Sequence, residues 1–84
     1  MSAVKTPLVA FPDGKTLDGE AFAEALRING DSKMDFMRRE GVAWNTIYLW
    51  LNSRPGGEKS VTPRPPHREK IQRYINQANS RAGK

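Results

Sequence analysis

An 84-residue chain has room for one small domain, which at this length buries roughly 60–65% of its unfolded surface. It has no cysteine and one histidine, His67, which excludes disulfides, thiolate metal sites and a histidine-built zinc site, so neither metal nor cofactor is expected. The net charge of +5 is uneven: residues 1–31 hold three basic and five acidic side chains, net −2, whereas residues 32–84 hold eleven and four, net +7.

A C-terminal half this cationic points to a polyanionic partner, with nucleic acid first. No stretch approaches the roughly 20 apolar residues of a membrane span. The first thirty residues lack a basic start followed by an apolar run, so a cytoplasmic compartment is expected and no membrane partner.

In chain order, residues 1–17 read as an N-terminal arm or short β-hairpin. Val9-Ala10-Phe11 and Lys15-Thr16-Leu17 flank the turn sequence Pro12-Asp13-Gly14. The main domain follows over residues 18–80. Asp18 is placed to cap a first helix over about 19–29, with Phe22, Ala25 and Leu26 on one face and Gly30 as its stop. Glu20 and Glu24 read as a solvated first turn that complements the helix dipole.

Ser32 and Asp35 match a capping box opening a second helix over about 33–40, with Met34, Phe36 and Met37 apolar and Gly41 terminating it. Arg38 and Arg39 read as a solvated face. A third helix is expected over about 43–53. A connection at 53–66, with four prolines and two glycines among residues 54–66, should be neither helix nor central strand. A last helix over about 67–79 carries the stripe Ile71, Tyr74, Ile75 and Ala78, and residues 81–84 form a basic tail. The fold class is therefore all-α, with four helices.

The third helix is the informative one. At about 100° per residue from Trp44, Ile47, Trp50 and Leu51 fall near 300°, 240° and 340° and should face the core. Tyr48, Asn52, Asn45 and Leu49 spread from about 40° to 140° on the opposite side. Two amides, a phenol and a lone leucine are an odd surface for a face that meets only water.

Residues 33–52, Lys-Met-Asp-Phe-Met-Arg-Arg-Glu-Gly-Val-Ala-Trp-Asn-Thr-Ile-Tyr-Leu-Trp-Leu-Asn, resemble the helix-turn-helix of lambda-repressor-like (Cro/C1-type) phage and bacterial regulators. Gly41 matches the turn glycine, Val42 the buried position after it, Ile47 and Trp50 the core positions, and Asn52 the closing asparagine. The resemblance covers about residues 20–54. Two features depart from the family: Met37 stands where a small residue is usual, and one basic helix after a proline-rich connection replaces two short helices.

The resemblance implies a DNA-binding protein in which Asn45, Tyr48 and Leu49 meet base edges in the major groove. Trp44 either flanks the core or reaches the sugar-phosphate. Lys33, Asn52, Ser53, Arg54, Lys59 and Arg64 would hold backbone phosphates. A homodimer on two half-sites is expected; its candidate surfaces are residues 9–11 and the residue-71-to-78 stripe, the stripe being assigned first to the domain's own core. The expected role is a small, non-enzymatic transcriptional regulator or repressor of phage or plasmid type. The alternatives are a DNA-binding accessory factor for recombination, replication or packaging, and a protein-interaction module (antitoxin-like or an adaptor) with Trp44, Tyr48 and Leu49 as its hot spot. No nucleophile–base pair, metal set or phosphate cradle suggests an enzyme.

Overall fold

A computed structural model describes residues 7–83. Four helices make up the fold, α1 (Gly19–Asn29), α2 (Lys33–Glu40), α3 (Trp44–Leu51) and α4 (Pro65–Ala82), and the described residues contain no strand. The chain is all-α, as its periodicities predict.

Local chemistry sets the first two helices. Asp18 caps α1 by accepting from the Glu20 N–H, and Gly30 closes it in the left-handed region at φ 74°. Ser32 and Asp35 form a reciprocal capping box, with bonds of 3.1 and 2.9 Å, at the start of α2. Gly41, at φ 69°, then turns the chain into α3.

Each helix contributes one aromatic ring to the core. Phe22 of α1, Phe36 of α2, Trp50 of α3 and Tyr74 of α4 are all at least 95% buried. Their rings meet edge to face: Phe22–Phe36 at 5.1 Å, Phe22–Trp50 at 5.7 Å and Phe36–Tyr74 at 4.8 Å between centroids. Ile47, Ile71, Ile75, Ala25 and Ala78 fill the space around them. Met37 is accommodated as a half-buried side chain packed against this cluster, its pliable thioether adapting to the space between α2 and its neighbours.

Residues 9–17 do not form the expected hairpin. The Asp13 carboxylate accepts from the Lys15 and Thr16 N–H groups, making the reversal a side-chain-capped turn. Beyond the Gly14-to-Phe11 turn bond, the two arms share one backbone bond, from the Asp18 N–H to the Ala10 carbonyl at 2.8 Å, too little for a strand pair. The Leu17 N–H pairs instead with the Val61 carbonyl in the connection. Ala10 and Phe11 are both buried, and neighbouring strand residues cannot point to one side. The segment is a loop lying on the core, held at Leu8, whose backbone N–H and C=O both bond the Asn79 amide at 2.7 and 2.9 Å. Residues 1–6 and Lys84, parts of the expected arm and tail, lie outside the described residues.

Helix α4 corrects the connection and the tail. It starts at Pro65, with prolines in its first two positions, because a first-turn residue has no intrahelical N–H bond to lose. It also continues through Ala82, so residues 80–82 are helical. Both proposed dimer surfaces belong largely to the fold's own core: Ile71, Tyr74, Ile75 and Ala78 are buried, as are Ala10 and Phe11.

Ser53 is fully buried and is not a phosphate contact. Its hydroxyl donates to the Leu17 carbonyl (2.7 Å) and accepts from the Val61 N–H (2.9 Å), tying the α3 end to both flanking loops. Its own carbonyl accepts from the Gly19 N–H at 2.9 Å, bringing the start of α1 against the end of α3. A Cβ on Gly19 would lie 2.5 Å from the Trp50 and Leu51 carbonyl oxygens, so only glycine fits there. Ser53→Ala leaves two buried backbone groups unmatched and is expected to lower unfolding free energy by about 1–3 kcal/mol. Urea denaturation measures this; an unchanged midpoint would show that water replaces both bonds.

Candidate nucleic-acid interface

The α2–turn–α3 unit presents one face of α3 to solvent. Val42, Ile47 and Trp50 anchor its inner side, each at most 3% exposed. Trp44, Tyr48 and Leu49 are 46, 59 and 56% exposed, and Asn45 and Asn52 are exposed beside them. The expected helical phase therefore holds, with one refinement. Leu51 is only half-buried and walls a groove beside α3.

Helix α3 carries no charged side chain, so cations reach its face only from its ends. Lys33, the first residue of α2, places its ammonium 6.0 Å from the centre of the Trp44 ring, uniting two of the expected contacts at the start of α3. At the other end, Arg54 Nη1 donates to the Leu51 and Ser53 carbonyls at 2.9 and 2.8 Å. Arg54 thus caps α3 while its side chain stays exposed. The Asn52 amide donates to the Tyr48 carbonyl at 2.9 Å and closes the same turn. The Asn45 side chain makes no hydrogen bond with any described residue and is exposed.

Lys59 and Arg64 are exposed in the connection, and no hydrogen bond or ion pair among the described residues joins either to the α3 face. What keeps the connection near the end of α3 is Val61, held by Ser53 and Leu17. Among the described residues no three His, Cys, Asp or Glu side chains converge to hold a metal ion. No helix among them is long and apolar enough to cross a membrane.

A polar cluster missed in the sequence fixes how α2 sits on α4. Arg39 is not a free solvated residue: its Nη2 donates to Asp31 Oδ2 at 2.9 Å, and the Tyr74 hydroxyl donates to the same oxygen at 2.5 Å. Lys70 Nζ donates to the Glu40 carbonyl at 2.9 Å and caps α2 from α4. Asp31 and Tyr74 are 43 residues apart, and no periodic signal links them. The Arg39 hydrogen bond, then that from Tyr74, holds the Asp31 carboxyl below the usual carboxylate range. Burial, then the bond to Asp31, pushes the Tyr74 phenol up to about 12.

Comparison with known proteins finds no family model, no curated protein and no solved structure that matches the chain.

The two pKa shifts act at opposite ends of the pH scale. Asp31 has a lowered folded value, so its stabilisation is complete above the ordinary carboxylate pKa of about 3.9 and is lost as pH falls through the lowered value. Tyr74 has a raised one, so its stabilisation is complete below about 10 and is lost as pH rises through about 12. Tyr74→Phe is expected to lose about 1.5–3 kcal/mol at neutral pH. It should also flatten both limbs of the stability–pH profile and remove the phenol titration near 12 from the ultraviolet absorbance. Parallel profiles for variant and parent would show that the Asp31 contact contributes nothing.

Proposed function

We propose that this chain is a sequence-specific double-stranded DNA-binding protein, a small non-enzymatic transcriptional regulator of phage or plasmid type that lays α3 in the major groove. The observation that carries the reading is the exposed α3 face itself. Asn45, Tyr48 and Leu49 stand out from a helix whose inner side is locked by Ile47 and Trp50. Lys33 and Arg54 bracket that face with positive charge.

Each group has a chemical task on DNA. An asparagine amide pairs with adenine through a donor and an acceptor, and leucine packs on a thymine methyl. Phosphates take the cations, which set register without reading sequence. Arg54 serves this role with the guanidinium edge that the α3 cap leaves exposed. The resemblance of residues 33–52 to the helix-turn-helix of lambda-repressor-like regulators supports the same placement. Because one short helix reads few base pairs, two copies on adjacent half-sites complete the site. The same docking serves an accessory factor in recombination, replication or packaging equally well.

One observation favours a second reading. The α3 face is uncharged and shows three large apolar or aromatic side chains, the composition of a protein-binding hot spot. In that reading salt has little effect on binding, whereas DNA binding depends on it steeply.

Two variants test the assignment on the inner and outer sides of one helix. Asn45→Ala is expected to lose about 1–3 kcal/mol on a cognate duplex and almost nothing on a scrambled one. Ile47→Ala removes core packing, so it should lose about 2–5 kcal/mol of fold stability and all binding together. Melting curves with titrations against both duplexes check this. An Asn45→Ala variant that keeps full discrimination removes α3 from the DNA.

The flanking charges have their own signature. Lys59→Ala should flatten the log–log salt dependence by about one unit at unchanged melting temperature. Arg54→Ala should flatten it as much and also lower the melting temperature, because it uncaps α3. Salt-independent affinity rejects the phosphate contacts.

A further inference from the structure

We propose that the flank of α4 facing the end of α2 binds the phosphodiester backbone of nucleic acid, at a contact separate from α3. Lys70, Arg73, Gln77 and Arg81 recur at spacings of three and four residues along this flank. At about 100° per residue from Ile71 they fall between about 200° and 280°, beside the buried Tyr74 near 300°. The row rises about 16 Å along the helix. Its first part walls a recess of about 230 Å³ with Glu40 at the end of α2. No residue of α3 lines that recess.

The charge of the row is uncompensated. The Arg73 and Arg81 side chains are exposed and form no hydrogen bond or ion pair with any described residue. Lys70 donates to the Glu40 carbonyl, a neutral acceptor, so its charge is unspent and two of its three ammonium protons remain for a ligand. The neighbouring carboxylates are already matched. Glu40 lies 3.6 Å from Arg39 Nε, and Asp31 accepts from Arg39 and Tyr74. The positive field of Arg81 also reaches Asp31. Glu69, the only carboxylate on α4, pairs with none of the row. Counting Arg39, four cations thus meet two carboxylates where α2 ends against α4.

The geometry selects a chain of phosphates over a lone anion. A single phosphate can sit between Lys70 and Arg73 with the Gln77 amide as a neutral donor, but it leaves Arg81 unused. A backbone with one charge about every 3.4 Å of axis on each strand meets the whole row. Lysine, arginine and amide donors are the groups that hold such phosphates without reading sequence. The contact stands whether or not α3 reads DNA. Where α3 does, the chain has one surface that reads and another that only holds.

The test titrates the isotope-labelled full chain with a short random-sequence duplex and follows each surface by its own nuclear magnetic resonance signals. The Arg73 Nε–H and the Gln77 amide should shift with added duplex, and the shifts should shrink as salt rises. Arg73→Ala should flatten the log–log salt dependence by about one unit at unchanged melting temperature. Arg73→Lys should restore it, because a phosphate also accepts a point charge.

Arg73 and Gln77 signals that stay in place overturn the proposal, as does an Arg73→Ala variant with the parent's salt dependence. A glutamate polymer that shifts these signals as strongly as the duplex, at the same salt, assigns the row to an acidic protein partner and overturns it too. The Asn45 and Asn52 amides report on α3 in the same titration. Shifts there with none at Arg73 sink only the α4 contact; shifts at Arg73 with none on α3 sink only the DNA reading of α3. If Arg73→Ala fails to fold, the parent's signals decide.

Discussion

The edge-to-face stack of Phe22, Phe36, Trp50 and Tyr74 is the contact on which the rest of this small structure depends. It takes one ring from each helix, so no helix can leave without dismantling the packing of the others. A domain this short has little apolar area to bury, and α2 and α3 are only eight residues each. Helices of that length are unstable alone in water. They persist here because Phe36 and Trp50 lock them to the longer α1 and α4.

That constraint also orients α3. With Ile47 and Trp50 inside, the helix has no rotational freedom, and Asn45, Tyr48 and Asn52 must face outward. The ends of α3 are set by different means. Its start follows the left-handed Gly41, and its end is closed by the Arg54 guanidinium and by the Gly19 N–H pressed against the Ser53 carbonyl. The result is a neutral, rigid face between two cationic ends. Such a division suits recognition in which the helix reads and its flanks hold. It also means that Arg54 cannot be changed for its charge alone, since the same side chain terminates the helix.

The two sides of Trp44 look onto different surfaces. One continues into the outward face of α3, the other forms a wall of the groove beside Met34 and Leu51. Its indole therefore belongs to both surfaces, and the ammonium of Lys33 over its ring borders both as well.

Much of this was legible from residue order, and the reason is the range of the interactions involved. Asp18, Ser32 with Asp35, Gly30 and Gly41 act on backbone groups within four residues, so their pattern alone determined where α1 and α2 begin and end. The spacing of Ile47 and Trp50 likewise determined which side of α3 is buried, and the net +7 of residues 32–84 was readable by counting. Tertiary structure decided the rest. Leu17 pairs with Val61 instead of closing a hairpin, Ser53 turns inward between two loops, Asp31 gathers Arg39 and Tyr74, and the groove opens where α1 meets the starts of α2 and α3. Each of these joins residues separated by between 8 and 44 positions. Only the packing of one helix on another brings such residues together, because no local propensity acts over that distance.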